Sequence, residues 1–406
     1  MRVLLLASTF PRRPGDPQPT FILDLARELA AGGTSVEALV PGDPAAAAEE
    51  TIDGVSVRRF RYAPLRRWER LAYGSGMLAN VRTYPWLWLV LPLYLLAMIL
   101  QVLRRCRRGD IDIVHAHWIV PQGVCAAAAL ALLPAARRPA LVITGHGADV
   151  YAFGGFTGRL LKRYALRRAD LRLAVSGALA RDMTACAGDG RPVQVAPMGI
   201  RLPAPEAHSA ANRAGPAAGK APFCFVGRFV EKKGVDDLLA AWARARTLSS
   251  APLPGLVIAG DGPLRARLEA RARELGIDRE VTFAGWLGRD AVDALMRSSL
   301  ALLMPSKTAA DGDREGLGLV AVEALVAGTP VIACDFAAAA DIAAVSPALI
   351  RVPAGNIEAL ARAIVSAAET GLPAVDTAAV AAAFGWPATG DRHRALYAQA
   401  ISVRRR

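Results

Sequence analysis

The chain alternates between two hydrophobic patterns. Short runs rich in Val, Leu and Ile, with no polar face, read as strands buried on both sides, while apolar residues at three- and four-residue spacing read as helices. In the first half the expected strands are Val3–Ala7, Ser35–Val40, Ile111–His117, Ala140–Thr144, Leu171–Val175 and Val193–Ala196, with helices over Phe21–Ala31 and from Gln122. In the second half they are Pro222–Val226, Leu256–Ala259, Val281–Phe283, Leu300–Met304 and Pro330–Ala333, with helices from Val235 and through Val320–Leu325. Strand followed by helix, repeated, predicts α/β architecture with parallel sheets. Between the halves, residues 204–221 are rich in Ala, Pro and Gly and carry no period, which marks a linker. Residues 1–203 and 222–385 are thus two candidate domains, each Rossmann-like.

Composition agrees. The 406 residues exceed one ordinary core, and 53% hydrophobic with 21% charged content is that of a folded protein. The five cysteines form no CxxC or Cys/His cluster, so no disulfide framework or zinc site is expected. Met1–Pro11 has one basic residue and a short apolar run, and reads as a first strand rather than a signal peptide.

Charge changes the picture in one window. From Arg58 to Arg108 there are eleven arginines, no lysine and one acid, Glu69, a local balance of +10. The same window holds Trp86–Leu103, an apolar run long enough to approach a bilayer core. A span would place the strand before it and the strand after it on opposite sides of a membrane. A segment lying against anionic headgroups is therefore expected over about 58–108, with a helix buried in the core as the alternative. Nucleic acid is not an expected partner, since no such motif accompanies the aromatic and basic residues.

Candidate chemistry gathers after strand ends, where open α/β sheets bind ligands. In the first half these are the Pro/Gly-rich loop with Gly15 and Asp16, the strand ending His115-Ala-His117, and Gly145-His146-Gly147. His115 and His117 are expected on opposite sheet faces, one buried and one beside the cleft, a poor arrangement for a shared metal. In the second half, Arg228 and Lys233 flank a turn at a helix N-terminus, a place that suits a diphosphate. Gly260 follows in Gly-Asp-Gly-Pro. Glu315 and Glu323 stand eight residues apart across Gly316-Leu317-Gly318-Leu319, the first in a loop and the second about two turns on.

The order GR(x3)KKG, GDGP, EGLGLVAVEAL and AGTPVIA, preceded by TFPRRPGD, DIVHAHW, TGHGAD and APMGI, resembles family 4 of the retaining glycosyltransferases, of the GT-B fold. The resemblance covers nearly the whole chain, and the loop Thr308–Glu315 looks like members that build exopolysaccharide or related surface glycans. It implies two Rossmann-like domains with parallel sheets facing across a cleft, and a C-terminal helix, 386–406, that crosses back onto the N-terminal acceptor domain. It implies a transferase moving a sugar from a nucleotide-diphosphate-sugar to a lipid-linked or growing glycan acceptor, peripherally on the cytoplasmic face of the plasma membrane.

By the same resemblance, Arg228 and Lys233 would hold the diphosphate, Glu323 the ribose, and Glu315 with the backbone of Gly316–Leu319 the donor sugar. His146 would lie near a donor-sugar hydroxyl and the reacting centre. Gly15, Asp16 and His117 would serve the acceptor or a phosphate. The reading implies no cofactor and no metal; Asp311-Gly-Asp313 looks like a metal motif but is expected to shape the sugar pocket. Cys334–Asp341 departs from the family, with alanines where glycines are usual. A nucleotide-sugar epimerase and a catalytically silent nucleotide-sugar-binding scaffold remain the other readings.

Overall fold

The computed structural model describes residues 1–13, 16, 19–74, 76–152, 154–202, 221–310 and 312–405. It divides into two compact units, Met1–Gly199 with Trp386–Arg406, and Ile200–Gly385. Gly15, Asp311 and most of the expected linker lie outside the described residues.

The first unit is built on eight strands: β1 (Arg2–Leu6), β2 (Ser35–Pro41), β3 (Glu49–Ile52), β4 (Val55–Phe60), β5 (Ile113–His117), β6 (Ala140–Gly145), β7 (Leu171–Ala174) and β8 (Gln194–Val195). Their order is β3-β4-β2-β1-β5-β6-β7-β8. Neighbours are parallel except β3 and β4, which form an antiparallel hairpin. Asp53 and Gly54 turn that hairpin at φ 49° and 82°, the two positive values that a type I′ turn demands. The sequence reading missed both strands because Glu49–Ile52 is a mostly polar edge, without the apolar run used to find the others.

The helix Leu87–Cys106 follows the hairpin. It is long and apolar enough to cross a membrane by length and composition. Yet β4 before it and β5 after it belong to one sheet. Leu87, Val90, Tyr94, Met98 and Val102 are buried, and the helix packs on the helix Val124–Ala131. Leu89, Leu93, Leu96 and Leu100 remain exposed. One face of the helix is therefore core, as the alternative expected, and the opposite face is apolar and open. The helix Trp386–Arg405 packs on Phe21–Ala31 and on the central strands of the same sheet, which buries His393 and Tyr397 completely.

The second unit carries β9 (Phe223–Val226), β10 (Leu256–Ala259), β11 (Val281–Gly285), β12 (Ala301–Met304), β13 (Val331–Cys334) and β14 (Leu349–Val352), all parallel, in the order β11-β10-β9-β12-β13-β14. Phe223, Phe229 and Trp242 have no exposed surface and anchor its core. Each sheet reverses its winding once, between β1 and β5 in the first unit and between β9 and β12 in the second. Loops leaving such neighbouring strands part from each other and open a crevice at their carboxyl ends. Both candidate sites lie at those two crevices.

Candidate functional site

In the second unit the switch point brings two loops together. From β9 the chain runs through Gly227, Arg228 and the turn Glu231–Lys233 into the helix Val235–Leu248. From β12 it runs through Pro305 to Glu315 and the helix Leu319–Val326. Lys233 Nζ donates to Glu315 Oε2 at 2.6 Å. Both side chains are only about a sixth exposed, at 17% and 16%. Burial would raise the Glu315 pKa, but the Lys233 charge and hydrogen bond, with Lys232 behind, outweigh it and hold the carboxyl below its ordinary value. Lys232 pairs with Asp313 at 2.9 Å, and Glu231 accepts the Ala310 N–H at 3.1 Å. Three side chains of the turn 231–233 thus hold the loop that ends at Glu315, and the Lys232 carbonyl accepts the Lys307 N–H at 2.9 Å. Asp313 is held by a lysine.

Glu323 is in the second turn of its helix, not two turns in, because Gly316–Gly318 form a turn and the helix begins at Leu319. Its carboxylate is 3.9 Å from Arg289, and burial raises its pKa against the pull of that arginine. Gly318 caps the helix at φ 71°, where a Cβ would come within 2.6 Å of the Phe336 ring. Phe336 belongs to the departing segment Cys334–Asp341, so that segment packs onto the helix start despite its missing glycines. Gly260 has φ 137°, and a Cβ there would stand 1.9 Å from the Gly227 carbonyl oxygen. Only glycine lets the β10 loop press against the loop that carries Arg228. Arg228 itself is exposed.

The site in the first unit is different in kind. His115 and His117 are two positions apart on β5, and the period of two puts them on the same face. Their rings lie 4.1 Å apart and both are fully buried, which corrects the expectation of opposite faces and of a histidine beside a cleft. His115 bonds the Tyr397 hydroxyl and the Thr144 hydroxyl, each at 2.7 Å. His117 Nδ1 meets His146 Nε2 at 3.0 Å. Among the described residues, no group of histidines, cysteines and carboxylates is arranged to hold a metal ion.

The second nitrogen of His117, Nε2, is buried without a partner among the described residues. An orphaned buried N–H costs more than an orphaned lone pair, so the proton belongs on Nδ1, donated to His146. Neutral His146 then carries its own proton on Nδ1, which becomes a directed donor. Burial keeps all of these rings neutral: His146 is depressed to about 3 and His393 to about 4, and His115 and His117 lie well below the ordinary histidine value.

Three residues that sequence reasoning did not single out hold His146 in place. Trp118 stacks at 5.0 Å, and it adopts φ 76°, a strained value for so bulky a residue. Phe21 covers the ring at 5.5 Å. Asp149, itself buried, accepts backbone N–H groups of Ile119, His146 and Gly147 at 2.7 to 3.0 Å and so ties the β5 and β6 loops together. Its motif, Gly-His-Gly-Ala-Asp, was visible in the sequence, and an aspartate two residues after a glycine turn is a usual acceptor of loop N–H groups. Asp16 is also buried, with Arg12 bound at 2.7 Å. Its carboxylate also accepts the Arg12 backbone N–H at 2.8 Å.

Two Rossmann-like units, each with polar side chains gathered at its switch point, define the class of protein. The family model described as Glycosyltransferase Family 4 matches residues 18–202, and that described as Glycosyl transferases group 1 matches residues 210–377. The chain belongs to the family 4 glycosyltransferases of GT-B type. It is 33% identical over 217 residues to the 2-deoxystreptamine N-acetyl-D-glucosaminyltransferase of Streptomyces fradiae, a match covering 50% of this chain and 48% of that one. The chain spans about half the length of the first curated relatives it matches. In fold it is similar to the sucrose-phosphate synthase of Thermosynechococcus elongatus, with TM-score 0.70 and 21% identity over 99% of both chains. It is also similar to HepE of Anabaena, solved in complex with UDP, with TM-score 0.68 and 19% identity over 97% of this chain and 99% of that one.

Proposed function

We propose that the protein transfers a sugar, with retention, from a nucleotide-diphosphate-sugar to a lipid-linked or growing glycan acceptor at the cytoplasmic face of the plasma membrane. The observation that carries this reading is the Lys233–Glu315 pair at the switch point of the second unit. Lys233 and Arg228 take the diphosphate and stabilise the charge that grows on it as the glycosidic bond breaks. Glu315, held ionised by Lys233, accepts hydroxyls of the donor sugar, and Glu323 accepts those of the ribose. With two cations assigned to the phosphates, the reading needs no metal and no other cofactor. HepE was solved with UDP, which supports a nucleotide diphosphate as the leaving group.

Retention is what the resemblance implies, and the carboxylates bear only on how it would be reached. A double-displacement glycosidase sets two carboxyl groups across the bond it cleaves. Here Glu315 is engaged by Lys233, and Glu323 lies on the helix that Glu315 leads into. The reading is therefore attack from the face the phosphate leaves, with that phosphate taking the acceptor proton. His146 offers its Nδ1–H to a sugar hydroxyl.

The test is a thermal-shift panel of UDP, GDP and ADP on the wild type, Lys233→Ala and Glu323→Ala. A ligand at a hundredfold its dissociation constant stabilises by about 2.7 kcal/mol. One diphosphate should raise the wild-type melting temperature and leave both variants unmoved. Silence from all three, with a folded sample, refutes the donor site.

A further inference from the structure

The open face of the helix Leu87–Cys106 is regular. Leu89, Leu93, Leu96 and Leu100 recur at four-, three- and four-residue spacing and are 79%, 42%, 53% and 49% exposed. Trp86 and Trp88 stand exposed at its start, and Trp86 meets the exposed Trp68 at 6.5 Å. A second apolar patch was not foreseen from the sequence. On the helix Phe156–Arg168, Phe156, Leu160 and Leu161 are exposed, interleaved with exposed Arg159, Arg163 and Arg167. This pattern of rings and leucines beside arginines is that of a helix lying in a headgroup layer.

The two patches share an end of the unit. Each helix leads into the strand that follows and returns antiparallel to the sheet, so its N-terminus lies at the carboxyl ends of the strands. That end carries His146. Both helices pack on the helix Val124–Ala131, which runs between them.

We propose that these two helices form one docking surface for an anionic bilayer. The leucine stripe lies in the headgroup region, Phe156 and Leu160 make the second contact, and the carboxyl end of the first unit's sheet comes to the lipid. A second copy of the chain is the other occupant such a stripe could take. Charge decides against it: self-association would bring together two surfaces that each carry the exposed Arg67, Arg70, Arg104, Arg107 and Arg108, whereas anionic lipid neutralises them. This surface rests on the membrane-face reading above and adds to it where the protein touches lipid. An acceptor with a lipid anchor then reaches the His146 side without leaving the membrane.

Co-sedimentation of the full chain with vesicles tests it, using equal parts phosphatidylglycerol and phosphatidylcholine against phosphatidylcholine alone. Wild type should pellet with the mixed vesicles and much less with the neutral ones. Leu89→Asp/Leu96→Asp and Phe156→Ser/Leu160→Ser, each with an unchanged melting temperature, should each bind about tenfold more weakly. Loss in the first variant but not the second overturns the two-helix surface and leaves the membrane-face reading standing. No wild-type binding to either vesicle overturns both. A concentration-dependent dimer that Leu89→Asp/Leu96→Asp dissolves, seen by sedimentation without vesicle binding, assigns the stripe to a second copy and overturns the proposal.

Discussion

The two switch points solve one problem, holding polar side chains in a partly dry crevice, by opposite means. The second unit uses charge: Lys233 and Glu315 neutralise each other, and three side chains from one turn fix the loop that ends at Glu315. The first unit uses none. Four of the chain's five histidines gather there, neutral, stacked and hydrogen-bonded, under Trp118 and Phe21. An ion pair can meet a diphosphate and exchange partners with it, which suits a site where charge develops. A neutral imidazole array holds a donor proton in a fixed direction and resists protonation, which suits positioning a hydroxyl.

The largest test of the contrast removes the charge. Lys233→Met should lower turnover about a hundred- to a thousandfold, the usual effect of deleting a group that stabilises developing negative charge. Glu315→Gln alone should also be impaired. If the two side chains act through each other, a double-mutant cycle on stability gives a coupling of about 1–3 kcal/mol. Additive effects would mean that the pair seen here does not organise the site.

Acid should separate the units. His146 and His393 have folded pKa values of about 3 and 4 against an ordinary 6.5, so the unfolded chain binds their protons first. Their contribution to stability is complete above pH 6.5 and is lost as pH falls below it. At pH 5 the loss is about 2 kcal/mol for each ring. In the second unit Glu315 has a lower window: its pKa is depressed, so its contribution is intact above the ordinary carboxylate value and lost only below it. Hydrogen exchange, corrected for intrinsic rates and read on peptides from each unit at pH 7 and pH 5, should show protection falling in Met1–Gly199 first. Equal loss in both units would mean that the neutral histidines do not set the acid stability of the first unit.

How much of this was legible in the sequence depends on the distance between partners. The buried strands and the Glu315–Glu323 helix announced themselves, because a continuous apolar run or a local spacing is enough to find them. The hairpin β3–β4 had a signal, Asp53-Gly54, but its first strand is a polar edge. The His115/His117 expectation failed on the two-residue strand period itself. The His117–His146 bond joins residues 29 apart, and His115–Tyr397 joins residues 282 apart. Nothing in the spacing of those residues encodes which rings will meet once the sheet forms and the last helix packs on it. The exposure of Phe156 and Leu160 was equally hidden: a helical spacing shows an apolar face but not whether another element covers it.

The smallest effect is the most discriminating, because it turns on one proton. If His117 donates Nδ1–H to His146 Nε2, then His146 is the Nδ1–H tautomer. Nitrogen-15 chemical shifts of labelled protein read that directly, without any substrate. In His117→Leu the donor is gone, and His146 should redistribute toward the Nε2–H form, the commoner one for an imidazole left to water. In His117→Asn a side-chain amide can donate in place of the ring, and the wild-type tautomer should return. Turnover should follow the tautomer, falling about tenfold in the leucine variant, equivalent to about 1.4 kcal/mol, with most of it restored by asparagine. An unchanged His146 spectrum in His117→Leu would show that Trp118, Phe21 and the Asp149-braced loop orient the ring by themselves. The imidazole pair would then be packing, and the contrast between the units would rest on the acid behaviour alone.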